Sequence, residues 1–143
     1  MIGSMVLKKI SCAIVGVFLA LGVSAASADC LGTVDEAKIL AKIDAMNDSY
    51  GDVPASVQCS DATSKVEKLV CASKTLQAMD LLDSKAYVYA FENATGSEID
   101  HKTEKDTDWI KTVRDACTDA ECVCEAFKSH TGDLLGGGSP YGE

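Results

Sequence analysis

The chain has 143 residues, 24% charged and 47% hydrophobic, with 22 acids against 13 bases, a formal net charge of -9 and seven cysteines. That length fits one domain and excludes a large multidomain enzyme. The acidic balance, with Arg114 the single arginine, excludes a basic surface for nucleic-acid phosphates.

The first segment reads as an address. Lys8 and Lys9 precede an uncharged run from Ile10 to Val23, and Ala26-Ser27-Ala28 is a small-x-small cleavage signal. The run falls short of the ~20 apolar residues of a comfortable membrane span. The pattern predicts a signal peptide over residues 1–28, a mature chain from Asp29 in the periplasm or outside the cell, and no membrane insertion after cleavage. Removing those 28 residues takes away Lys8, Lys9 and Cys12, so 11 bases face 22 acids and the charge becomes -11. Six cysteines remain: Cys30, Cys59, Cys71, Cys117, Cys122 and Cys124. An even number in a small exported domain reads as a disulfide framework.

Helix signals then come in order. Thr33-x-x-Glu36, Ser64-x-x-Glu67 and Thr118-x-x-Glu121 each have the form of a capping box before an apolar-periodic run. The first predicted helix runs from Val34 to Asn47, with Ile39, Ile43, Met46 and Tyr50 on one stripe and Gly51 as its stop. A linker through Pro54 leads to a short helix over Lys65–Ala72. The third helix covers Thr75–Asn93, with Leu76, Met79, Leu82, Ala86, Tyr89 and Ala90 inward and Gly96 at its end. Residues 97–108 are crowded with charge and are expected to open a fourth helix carrying Trp109, Ile110 and Val113. The last helix spans Asp119–Ser129, with Val123 and Phe127 inward. The glycine-rich tail, residues 135–143, is expected to be flexible. The fold class is therefore all-α, a small disulfide-stapled bundle of four to five helices.

The local spacings favour Cys59–Cys71 and Cys117–Cys122, which leaves Cys30–Cys124. The alternative is a metal held by Cys117, Cys122, Cys124 and His130, but C-x4-C-x-C-x5-H is not a standard zinc spacing. No metal and no cofactor are expected. Neither His101 nor His130 stands beside a nucleophile motif, so the chain does not read as an enzyme. His101 reads as solvated and His130 as a cation at a helix C-terminus. Asp83 falls on the apolar arc of the third helix and needs a partner, for which Arg114 is the candidate, either as a structural pair or as part of a binding site. Trp109 is either the keystone of the core or the anchor of a partner surface.

From Cys59 onward the chain resembles the lysozyme inhibitor LprI-like family. The resemblance rests on the Cys59, Glu67, Val70 and Cys71 spacing, then Leu76, Met79, Asp80 and Tyr87, then Trp109 with Arg114, Asp115, Cys117 and Cys122, and finally Phe127 and Leu134. It covers residues 59–134 and leaves residues 29–58 as an N-terminal helical extension. Trp109 and Arg114 are one residue further apart than the family pattern has them. Asp83 stands where that pattern has an aliphatic, and His130 where it has arginine. The resemblance implies a small exported helical domain stapled by disulfides, with lysozyme as a partner. The net charge suits a cationic protein, and Glu98, Asp100, Glu104, Asp106 and Asp108 form the candidate partner surface. The alternatives are a structural or interaction module of the bacterial envelope, or a secreted effector, with no role toward lysozyme.

Overall fold

A computed structural model of the chain describes residues 29–100, 105–137 and 140–141. The predicted signal peptide, His101 and Glu104 lie outside the described residues. Within the described residues the backbone forms six α-helices, one 3-10 turn and no strand. The helices are α1 (Cys30–Thr33), α2 (Glu36–Tyr50), α3 (Lys65–Cys71), α4 (Lys74–Thr95), α5 (Thr107–Thr112) and α6 (Ala120–Leu134), with the 3-10 turn at Arg114–Ala116. The helix beyond the expected four to five is the single turn α1.

The middle capping box forms as its spacing predicts. Glu67 N–H donates to Ser64 Oγ at 3.1 Å, and Ser64 N–H donates back to the Glu67 carboxylate at 2.9 Å. The backbone N–H groups of Ser64 and Thr63 hold the Glu67 carboxyl below its usual range. Its contribution is therefore present above the ordinary glutamate value and lost as pH falls through the lowered one. Ser64→Ala is expected to cost about 1 kcal/mol, read as a lower urea midpoint at unchanged slope.

The outer two boxes do not form. Asp35 caps α2 by accepting from Lys38 N–H, and Asp119 caps α6 by accepting from Cys122 N–H. An aspartate two residues after Thr33 and one directly after Thr118 are equally good caps, and each frees the glutamate for tertiary work. Glu36 accepts from the Thr75 hydroxyl at 3.2 Å, tying α2 to α4. Glu121 accepts from Cys30 N–H at 2.6 Å, tying α6 to the start of α1.

The predicted apolar stripes meet in one core. Ile39, Ile43 and Met46 of α2, Val70 of α3, Leu76, Met79 and Leu82 of α4, and Val123 and Phe127 of α6 are buried in a single cluster. Residues 29–58 contribute Cys30 and Val57 to that same cluster, so the N-terminal extension shares one core with residues 59–134. A 22-residue helix, α4 packs against both α2 and α6. Gly51 and Gly96, with φ of 69° and 67°, end α2 and α4 in backbone conformations that a side chain disfavours. Buried Lys85 donates to the Gly51 carbonyl at 3.3 Å and so fixes the turn after α2 against α4.

Three disulfides staple the fold: Cys30–Cys124, Cys59–Cys71 and Cys117–Cys122, closing sequence separations of 94, 12 and 5. With all six sulfurs paired, Cys117, Cys122 and Cys124 do not form a thiolate ligand set. Such bridges belong to an oxidising compartment. No helix among the described residues is long and apolar enough to cross a membrane.

Three further expectations need correction. Residues 97–100 are not helical, and α5 begins only at Thr107. Ile99 is drawn into a small cluster with Val53 and Val88, and Asp106 is a competent N-cap. α5 also ends at Thr112, so Val113 is its exposed C-cap and not a helix residue. The tail is anchored where it was expected to be loose. Tyr141 is fully buried, its carbonyl accepts from Asp35 N–H at 2.7 Å, and its hydroxyl donates to Thr131. Its ring adds apolar area to the core while its hydroxyl keeps a partner, which a glycine-rich composition does not reveal.

Candidate functional site

Two carboxylates lie buried one turn apart on α4, Asp80 and Asp83. Each organises its own polar network, because a carboxylate removed from water needs donors to replace it.

Asp80 accepts from the Ser56 hydroxyl and from Val57 N–H at 2.9 Å. The Ser56 hydroxyl in turn accepts from the Arg114 guanidinium at 2.7 Å, which lies 4.0 Å from Asp80 itself. Arg114 also forms a two-point contact with Asp115, at 2.9 and 2.8 Å. Burial pushes the Asp80 carboxyl up, against the pull of Ser56, Val57 and Arg114. The expected pairing of Arg114 with Asp83 does not occur. The arginine sits one helical turn away, on the Asp80 side.

Asp83 is instead the partner of His130. The His130 Nδ1 lies 2.9 and 3.1 Å from the two carboxylate oxygens of Asp83, and Nε2 lies 3.2 Å from Asp106. The Thr131 hydroxyl donates to Asp83 at 2.8 Å and accepts from Tyr141, which completes a buried chain from the tail to the α5 cap. Burial pushes the Asp83 carboxyl up. Burial alone would lower the His130 pKa, but Asp83 and then Asp106 raise it above the ordinary imidazole value. Both shifts favour the protonated form, so the cluster keeps a proton to higher pH than a free imidazole does. His130 therefore does not serve as a helix C-cap: it lies inside α6, whose C-cap is Leu135.

Trp109 closes this site from above. Its ring stacks on the His130 imidazole with centroids 4.0 Å apart and planes 6° from parallel, and it leans on Phe127 at 5.7 Å. It is half-buried at the edge of the core, so it is neither the innermost residue nor a free surface anchor. Asp106 does two jobs here, accepting from Trp109 N–H at 3.1 Å to cap α5 and accepting from His130.

A cleft opens beside the cluster, with Val53, Ser84, Tyr87, Trp109 and Ile110 on its walls and Asp83 and Asp106 at one side. Its volume is about 20 Å³, room for about one water and far below a pocket for a metabolite-sized ligand. Lys105 borders it and donates to the Ser56 carbonyl at 3.2 Å.

The fold thus gathers Asp80, Tyr87, Trp109, Arg114 and Asp115 from the singled-out residues around one side of α4. Leu76 is core and Glu67 is a cap. The proposed acidic surface divides. Glu98, Asp100 and Asp108 are exposed, whereas Asp106 turns inward to His130. Sequence reasoning missed Ser56, Thr131 and Tyr141 as network members. The signal that could have pointed toward them is Asp83 on an apolar helix face, with Asp80 one turn before it. No family model, curated protein or solved structure matches the chain.

Proposed function

We propose that the protein is an exported, non-catalytic binding protein for a cationic protein partner, with lysozyme as the case that the family resemblance implies. The observation that carries this reading is the charge of the chain beyond residue 28, where 22 acids face 11 bases. Such an excess steers a basic partner and raises its rate of encounter. Glu98, Asp100 and Asp108 are exposed and add to the surface charge of that sign.

Two features support a binding role over a catalytic one. Both ring nitrogens of His130 are engaged by carboxylates, so neither is left to take a proton from a hydroxyl. The cleft beside it has no room for a substrate of ordinary size. The three disulfides support export through a signal peptide cut after Ala28.

The test is lysis of bacterial walls by lysozyme with and without the disulfide-bonded protein. Inhibition that weakens several-fold between 50 and 300 mM salt, and again in Glu98→Gln/Asp100→Asn/Asp108→Asn, is the expected result. No inhibition at micromolar excess would favour the envelope module instead. Inhibition indifferent to both salt and the triple substitution would remove the electrostatic basis.

A further inference from the structure

We propose that His130 is a pH-operated latch: as an imidazolium it clamps α5 and Trp109 onto α4 and α6, and on losing its proton it releases them.

The geometry carries this. An imidazole with carboxylates on both nitrogens needs two N–H groups to satisfy both, and only the protonated ring has two. The neutral ring keeps one donor and turns a lone pair toward the other carboxylate. Of the two acids, Asp83 is buried on a rigid helix and has Thr131 as a second donor, whereas Asp106 sits partly exposed at the head of a six-residue helix. The Asp106 contact is therefore the one that breaks.

Among the described residues, α5 is held to the bundle chiefly through Trp109. None of its residues is buried, and its main packing is the Trp109 ring on Phe127 and on His130 itself. A cation under the face of a tryptophan adds attraction that the neutral ring lacks, so deprotonation weakens the stack and the ion pair together. α5 lies between two anchors, Lys105 held at the Ser56 carbonyl before it and buried Arg114 beyond its C-cap. It can therefore loosen between them without unfolding the bundle.

The charged groups around His130 come from every neighbouring element. Asp83 faces it from α4, and Asp80 with Arg114 lies one turn along. Asp106 faces it from the lead-in to α5, whose Lys105 is turned to the Ser56 carbonyl. Tyr141 reaches Asp83 through Thr131. The histidine pKa is raised in the fold, so the latch is fully present below about 6.5, the unfolded imidazole value, and is lost as pH rises through the raised one.

Trp109 is the single tryptophan, so its emission reports the stack directly. The disulfide-bonded protein is titrated from pH 5 to 9 by fluorescence. In parallel, tryptic cleavage after Lys111 is timed relative to a free peptide carrying the same site, with far-UV circular dichroism as the control for global unfolding. The expected result is emission that rises with a midpoint above 6.5, accompanied by an increase of at least several-fold in relative cleavage while helicity holds. His130→Gln should abolish the transition and cleave fast throughout. Asp106→Asn keeps a helix cap and should move the midpoint down toward 6.5, which serves if the glutamine variant fails to fold. Relative cleavage that does not change with pH, or a transition that survives unaltered in either variant, would overturn the latch.

Discussion

Removing the Cys30–Cys124 bridge by substituting both residues with alanine is expected to cost about 4–5 kcal/mol of unfolding free energy, the largest loss of the three disulfides. The ranking follows from loop length. Cross-linking residues 94 apart removes far more unfolded-state freedom than separations of 12 or 5 do, for which the same entropy model gives about 3 and about 2 kcal/mol. The two cysteines are also buried in the main core, so their loss leaves a void as well. For a small domain whose whole stability is about 5–15 kcal/mol, the change runs from about a quarter of the total to nearly all of it. Urea unfolding of the three double-alanine variants without reductant measures it. Equal costs for all three would show that chain constraint is not what the bridges contribute.

Asp80→Ala is expected to cost about 3–5 kcal/mol, because it strands a buried guanidinium. Arg114 is 4% exposed and reaches Asp80 through the Ser56 hydroxyl. Without the carboxylate, the Ser56 hydroxyl and the buried Val57 N–H lose their acceptor, and the guanidinium keeps only half-exposed Asp115 as its counter-charge. The double variant Asp80→Ala/Arg114→Met should recover part of the loss, since an apolar side chain there demands no counter-charge. A double-mutant cycle gives the coupling. Strict additivity of the two single substitutions would mean that the relay through Ser56 carries no interaction.

The helices were legible in the sequence because their evidence is periodic and local. Ile39, Ile43 and Met46 repeat along one face, as do Leu76, Met79 and Leu82, and all are buried. The Ser64–Glu67 box was equally local and formed. The outer caps moved by two residues and by one, because Asp35 and Asp119 compete with Thr33 and Thr118, and the winner depends on where Glu36 and Glu121 find tertiary partners. The site was harder to read. Asp83 stood out as an acid on an apolar helix face and His130 as a residue near a helix end, but they are 47 positions apart, and only the packing of α4 on α6 makes them a pair. Composition marked residues 135–143 as loose. It could not register that one tyrosine among those glycines fits the core and completes the Thr131–Asp83 chain. Asp106 was grouped with its acidic neighbours because charge runs look uniform in sequence, whereas capping and pairing single out one member.

The Cys30–Cys124 bridge also constrains how the molecule is made. A chain that emerges N-terminus first exposes Cys30 well before Cys124, with Cys59, Cys71, Cys117 and Cys122 in between. The two local bridges can close as soon as their short loops appear. Cys30 must either wait as a free thiol until nearly the whole chain is out, or pair early with a wrong neighbour and exchange it later. Maturation is therefore gated by its last helix. Oxidative refolding should pause at a species carrying both short-loop bridges and one open long-range pair, and a thiol–disulfide isomerase should shorten that pause.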